Sequence, residues 1–124
     1  MHKLPSAQEI FDLVVEHLFT QGRPACQDDG RCRYRMAGGL RCAIGALIPD
    51  ELYKEEFEGA SAYRLVYKLF DLEIADWREH EELLAQLQNV HDGCRQTTVG
   101  AFNLFNLEER LRFAAERFFL EYRR

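Results

Sequence analysis

With 124 residues, 47% of them apolar and 12% aromatic, the chain is long enough for one hydrophobic core and too apolar for a disordered or fibrous protein. Its formal net charge of −5 excludes a general nucleic-acid coat, whose affinity would come from neutralising phosphates. The opening residues, MHKLPSAQEIFDLVVEHLF, interrupt their apolar run with acids and offer no small-residue cleavage site, and no later stretch is long enough to span a bilayer. The expectation is one cytoplasmic domain over 1–124, with no leader and no membrane partner.

In chain order, Pro5-Ser6-Ala7-Gln8-Glu9 places a Ser-x-x-Glu capping box before Ile10, Phe11, Val14, Val15 and Leu18, a single apolar helical stripe. A helix over 7–20 follows, stopped by Gly22 in a left-handed cap and kept from resuming by Pro24. Asp28-Asp29-Gly30 is a turn signal and 31–36 alternate strictly, so 25–36 reads as a β-hairpin, and a three-residue loop of Asp28 to Gly30 would set Cys26 opposite Cys32. The alternation sends Arg31, Arg33 and Arg35 to one face and Cys32, Tyr34 and Met36 to the other. Gly38-Gly39 breaks the strand, and the apolar run 42–47 with the Pro49-started turn gives short helices over 42–53.

Helical spacing returns over 61–71, and over 77–92 after a capping pair of Asp76 with Glu79. Cys94 to Gly100 reads as a polar loop. The last helix, 107–122, opens on Asn106 with Glu109 and carries Leu107, Leu111, Ala114, Ala115, Phe118 and Tyr122 as its stripe. The fold class is mainly α (α+β), four to five helices around one core with a small β-hairpin after the first helix.

Four cysteines without an export signal read as reduced, packed thiols rather than a disulfide framework, while the sequence leaves open whether Cys26 and Cys32 oxidise to a disulfide. Cys42, beside Arg41 near a helix start, precedes His91 and Asp92 in the Cys…His…Asp order of cysteine-dependent hydrolases and transferases. Against that reading, neighbours on a helix diverge by about 100°, so Asp92 is badly placed to orient the imidazole. The run from Cys42 to Leu47 is also apolar enough for an inert, buried thiol. Cys26, Cys32, Cys42, His91 and Cys94 offer ligands for a zinc ion, with His91 and Cys94 three apart, although no Cys-x-x-Cys or His-x-x-x-His pair marks a compact site. The competing reading of His91 is a capping or core histidine.

Charge is uneven. From Gly22 to Arg41 five arginines face two aspartates, and from Asp50 to Glu82 eleven acids face four bases. Arg31, Arg33 and Arg35 on one strand face would lie about 7 Å apart, a spacing suited to phosphates or a row of carboxylates. A nucleotide or nucleic-acid ligand is one reading, and pairing with the chain's own acids is another. Asp50, Glu51, Glu55 and Glu56 complete the candidate binding set as a surface that steers a basic partner. Gly38-Gly39 and Gly45 match no phosphate-binding loop and read as turn and close-packing glycines.

The residues Cys32-Arg33-Tyr34-Arg35, Gly39 to Gly45, Leu47 to Tyr53, Glu58-Gly59 and Leu87 to Asp92 also carry a resemblance. The chain resembles a group of small phage, prophage and bacterial proteins that has no assigned activity. It departs from the group's pattern where a tryptophan after the His-Asp pair gives way to the Phe102 to Phe105 region. The resemblance implies a mobile-element origin and no catalytic residue. It also implies a non-enzymatic binding protein that modulates or inhibits a host or defence-system protein.

Overall fold

The computed structural model describes residues 1–94 and 101–124. Helix α1 runs Ala7–Gln21. Ser6 caps it, its Oγ accepting from the Glu9 N–H at 3.3 Å while its hydroxyl donates to Glu9 Oε1 at 2.9 Å. Gly22 ends it at φ +72°, where a left-handed backbone lets its N–H reach the Leu18 carbonyl.

Helices α2 (Ala62–Asp71), α3 (Glu81–Gly93) and α4 (Leu104–Arg117) complete the set. Ser61 caps α2 by accepting from the Arg64 N–H. The capping pair expected at Asp76 does not open α3: Asp76 accepts from the Arg78 N–H, and a 3₁₀ turn, Arg78–His80, leads into the helix. Asn103, rather than Asn106, caps α4, taking the Asn106 N–H at 3.1 Å. That helix therefore starts and stops earlier than its stripe suggests. It closes in a Schellman motif, with Leu120 N–H on the Ala115 carbonyl and Phe119 N–H on the Glu116 carbonyl. The same motif closes α2 through Ile74 on Leu69 and Glu73 on Phe70. Phe119 (φ +57°) and Glu73 (φ +58°) occupy the left-handed position that glycine normally takes.

Helix α3 is central and touches α1, α2 and α4. The core joins Ile10, Phe11, Val14 and Leu18 of α1 to Leu65 and Leu69, to Leu84 and Leu87, and to Leu107 and Leu111, with Phe57 and Trp77 as its largest loop contributions. Each such side chain contributes about 1.5–3 kcal/mol by leaving water. The N-terminal tail is stitched to the α2–α3 connection, with His2 bridging Ala75 and the Trp77 indole N–H donating to His2 Nδ1 at 3.1 Å.

The mainly α architecture holds, but the expected β-hairpin does not form a ladder. Among the described residues there are only isolated bridges, Cys26 with Cys32 and Arg35 with Arg41 in this stretch of the chain. Residues 25–42 make an irregular ribbon that doubles back twice. Gly38 and Gly39, at φ +83° and +82°, supply the second reversal. The ladder fails because the backbone donors go elsewhere: Tyr34 N–H and Arg35 N–H both donate to the Glu58 carboxylate, at 2.9 and 3.2 Å. The short helices expected over 42–53 are 3₁₀ turns, Gly45–Leu47 and Asp50–Leu52, followed by a third at Glu55–Phe57. Gly45 is required by close approach, since a Cβ there would sit 1.8 Å from the Tyr34 carbonyl oxygen. Among the described residues no helix is long and apolar enough to cross a membrane.

Candidate functional site

The arginines selected from the sequence are largely turned inward. Arg33 donates to Glu55 and has Glu58 within 4.0 Å. Arg35 pairs with Asp50 at 2.8 Å, donates to the Ile48 carbonyl and lies over the Tyr53 ring. Arg41 reaches the same Asp50 oxygen at 2.9 Å. The two guanidinium groups beside Asp50 hold its carboxyl below its ordinary range, and Arg33 does the same for Glu55. Only Arg31 of the three stripe arginines extends into solvent, beside Asp29 at 3.5 Å. Glu51 and Glu56 are exposed. Of the seven predicted binding residues four, Arg33, Arg35, Asp50 and Glu55, are joined to one another, and Arg31, Glu51 and Glu56 are exposed.

Glu58 is the centre of that arrangement and was not among the predicted site residues. Its side chain is 10% exposed and accepts from two backbone N–H groups and from the Tyr53 hydroxyl at 2.6 Å. Burial, with Glu58 beside it, raises the Tyr53 phenol well above its ordinary range. Nothing in the local sequence distinguishes Glu58 from Glu55 and Glu56.

Cys42 is fully buried, and burial pushes its thiol up to about 12. Its Sγ accepts from the Gly45 N–H at 3.3 Å. A thiol in that environment stays protonated and has no access to a substrate. Cys94 is buried as well, with its thiol also shifted up by burial.

His91 and Asp92 do meet, contrary to the angular argument from the sequence: Nδ1 lies 2.7 Å from Asp92 Oδ1. Both atoms stand two bonds beyond Cβ, far enough for neighbouring side chains at a helix C-terminus to bend together. His91 Nε2 accepts from the Ala25 N–H at 3.0 Å, which places the ring proton on Nδ1, facing Asp92. Gln88 donates to the same Asp92 oxygen at 2.9 Å and accepts from the Ile44 N–H at 3.2 Å. This polar chain ties the end of α3 to both arms of the ribbon.

The default of reduced, packed thiols holds for Cys42 and Cys94 and gives way at the pair that the sequence left open. Cys26 and Cys32 are joined by a disulfide across the turn, while Cys42 and Cys94 are free. Of the five candidate metal ligands the fold gathers three, Cys26, Cys32 and His91, and adds Asp92; one ligand atom from each lies within 4.8 Å of the others. Cys42 and Cys94 are not members of that group.

The largest apolar side chains left in solvent cluster on α4. Phe105 is 74% and Phe113 60% exposed, and Leu104 is exposed beside them. At about 100° per residue, Phe105, Glu109, Phe113 and Glu116 fall on the side of α4 opposite its buried stripe of Leu107, Leu111, Ala114 and Ala115. No described residue forms an ion pair with Glu109 or Glu116, whereas Glu108 takes Arg112 at 3.0 Å. Phe113 also edges a shallow cleft with Gln86, Asn89 and Val90 of α3. Phe119, 96% exposed, extends past the end of the helix. The sequence signal for this surface was present as phenylalanines that fit no position of the α4 stripe.

A second cleft, of about 870 Å³, opens between α1 and the ribbon. Its polar groups are engaged: His17 Nε2 donates to the Arg41 carbonyl at 2.9 Å, and Gln21 contacts both the N–H and the carbonyl of Arg41. Burial lowers the His17 pKa below its ordinary value, so the ring stays neutral there. Comparison of the chain with protein-family models, with characterised proteins and with solved structures finds no match.

Proposed function

We propose that the protein is a non-enzymatic binding protein of the phage or prophage type, which modulates a host protein by docking the outer face of α4 into it. One observation carries the reading: Phe105 and Phe113 stand in solvent at 74% and 60% exposure on one helix face, with Glu109 between them and Glu116 one turn beyond Phe113. An exposed pair of large aromatics has no role in this fold, and burying each would contribute about 1.5–3 kcal/mol to a complex. The face is that of a helix-in-groove ligand, with aromatic anchors and acids beside them. The matching partner has an apolar groove bordered by lysine and arginine. The resemblance to phage and prophage proteins makes a host defence protein in the cytoplasm the partner class to examine first.

Support for the other readings is weaker. A hydrolase using Cys42 and His91 would need an accessible thiolate, and the thiol is enclosed. A nucleotide on Arg31, Arg33 and Arg35 would have to displace Glu55, Glu58 and Asp50.

The test is capture and identification of a partner from host lysate, followed by titration of the purified pair. Exchanging Phe105 and Phe113 together for serine is expected to weaken binding at least about 100-fold while leaving thermal stability unchanged, because neither ring is in the core. Added salt should weaken the wild-type complex further. Unchanged binding by the double variant would sink the proposal, as would a homodimer whose dissociation follows these two phenylalanines.

A further inference from the structure

We propose that Cys26, Cys32, His91 and Asp92 form a zinc site in the reduced protein, so that the disulfide between the two cysteines and the metal are alternative occupants of one place. Two sulfurs, an imidazole nitrogen and a carboxylate oxygen lie within 4.8 Å of one another. Ligand atoms around a tetrahedral zinc, at about 2.0–2.3 Å from the metal, are themselves about 3.3–3.8 Å apart, so the two sulfurs and the imidazole nitrogen are close to the required spacing for three of its four positions. Two thiolates with an imidazole favour zinc over magnesium or calcium, which prefer all-oxygen shells.

His91 is the one polar side chain that is fully buried among the described residues, and the fold has placed it beside the two cysteines from a helix some sixty residues further along the chain. It is also prepared as a ligand. The Nδ1 proton is held by Asp92 Oδ1 at 2.7 Å, the carboxylate–histidine pairing that fixes a ligating tautomer and raises its basicity. The remaining lone pair, on Nε2, is held in the disulfide form by the Ala25 N–H at 3.0 Å, from the residue directly before Cys26; zinc would take its place there, with Asp92 behind the histidine rather than on the ion. Phe102 covers the imidazole edge-on at 5.8 Å between ring centres. Access for the ion is through a cleft of about 470 Å³ that Cys32 and Asp92 line together with Gln88, Asn89 and Ser61. Cys26, Cys32 and Asp92 are half-buried, so the site is reachable from that side.

The chemistry balances in two steps. A low-molecular-weight thiol reductant supplies two electrons and two protons, breaks the sulfur–sulfur bond to give two thiols, and is itself oxidised to its disulfide. Zinc(II) then displaces the two thiol protons as two zinc–sulfur bonds form, with no further change in oxidation state. The metal takes over from the covalent bond as the link across the turn and adds one to α3.

The test uses the full chain, reduced with a phosphine, desalted without oxygen and titrated with zinc against a chromophoric chelator, with stoichiometry from native mass spectrometry. One zinc per chain is expected, with submicromolar affinity, and none is expected for the disulfide form. Cobalt(II) in its place should give the intense visible bands and thiolate charge transfer of a tetrahedral sulfur-containing site. Cys26→Ser and Cys32→Ser should each weaken binding at least about 100-fold, and Asp92→Asn about 10- to 100-fold. Cys42→Ala and Cys94→Ala, checked as folded by circular dichroism, should leave stoichiometry and affinity unchanged. The proposal is overturned if the reduced chain takes up no zinc, or if uptake survives the loss of both Cys26 and Cys32.

Discussion

Around α3, side chains such as Leu84, Leu107 and Leu111 are held by apolar contact with α1, α2 and α4, whereas the chain from 25 to 58 adds to its buried Tyr34, Ile44, Ile48 and Phe57 a set of individual polar attachments. The helical region can lose one methylene and settle around the gap. The ribbon adds more specific fixings, and several of them serve backbone N–H groups that have no ladder partner. Stability in the first region is spread over many side chains, and in the second it rests on a few positions.

The sharpest way to separate the two regions is Gly45→Ala. The added methyl meets a backbone oxygen that cannot rotate away, so the loss should be about 3–4 kcal/mol in urea unfolding, although the substitution would be mild or favourable in a helix. Next is Glu58→Ala, which strips the Tyr34 and Arg35 N–H groups of their acceptor and leaves the Tyr53 hydroxyl only Glu55, at 3.2 Å. A loss of about 2–3 kcal/mol is expected, and Glu58→Gln, which retains an acceptor oxygen, should recover some of it. A loss under ~0.5 kcal/mol for Glu58→Ala would show that water replaces the carboxylate and that the ribbon is not pinned there.

Among the helices, a single change should run in the opposite direction. Phe119→Gly removes a side chain from a left-handed position where it makes no core contact, and should raise stability by about 1 kcal/mol. A drop in melting temperature would mean the ring stabilises the helix end after all. The smallest effect is expected where α1 meets the ribbon. His17 has a folded-state pKa below its unfolded value, so the unfolded chain binds the proton more readily. Its contribution is complete above the unfolded pKa of about 6.5 and fades as the pH falls from there through the folded value. His17→Gln, which keeps a donor for the Arg41 carbonyl, should flatten the pH dependence of stability in that interval.

Legibility in the sequence follows the same division. Ser6 and Gly22 could be read because capping is decided within four residues, and the α1 stripe because its burial is one-sided. At α4 two asparagines three residues apart both make plausible caps, and only the packed structure selects Asn103. The strict alternation of 31–36 suggested a strand, yet its donors are claimed by Glu58, more than twenty residues away, and no local pattern announces that. Tyr34 was rightly turned inward and Arg31 outward, whereas Arg33 and Arg35 found the acidic segment named as their alternative partner. Cys26 opposite Cys32 was legible from turn length alone. The arrival of His91 and Asp92 beside them depends on how α3 crosses the ribbon, which is a tertiary fact.

Gln21 donates to and accepts from the backbone of Arg41, and it stands on the last turn of α1. A helix can form from its own neighbours, but the 36–42 arm meets the segment before it in a single isolated bridge, Arg35 with Arg41. The order of assembly follows: α1 must be docked before its glutamine can offer that arm a template, so the arm is the last segment to settle and the first to open. Native-state hydrogen exchange should find the Arg41 amide opening at lower free energy than the amides of α3, and Gln21→Ala should lower its protection further without touching that of Leu87.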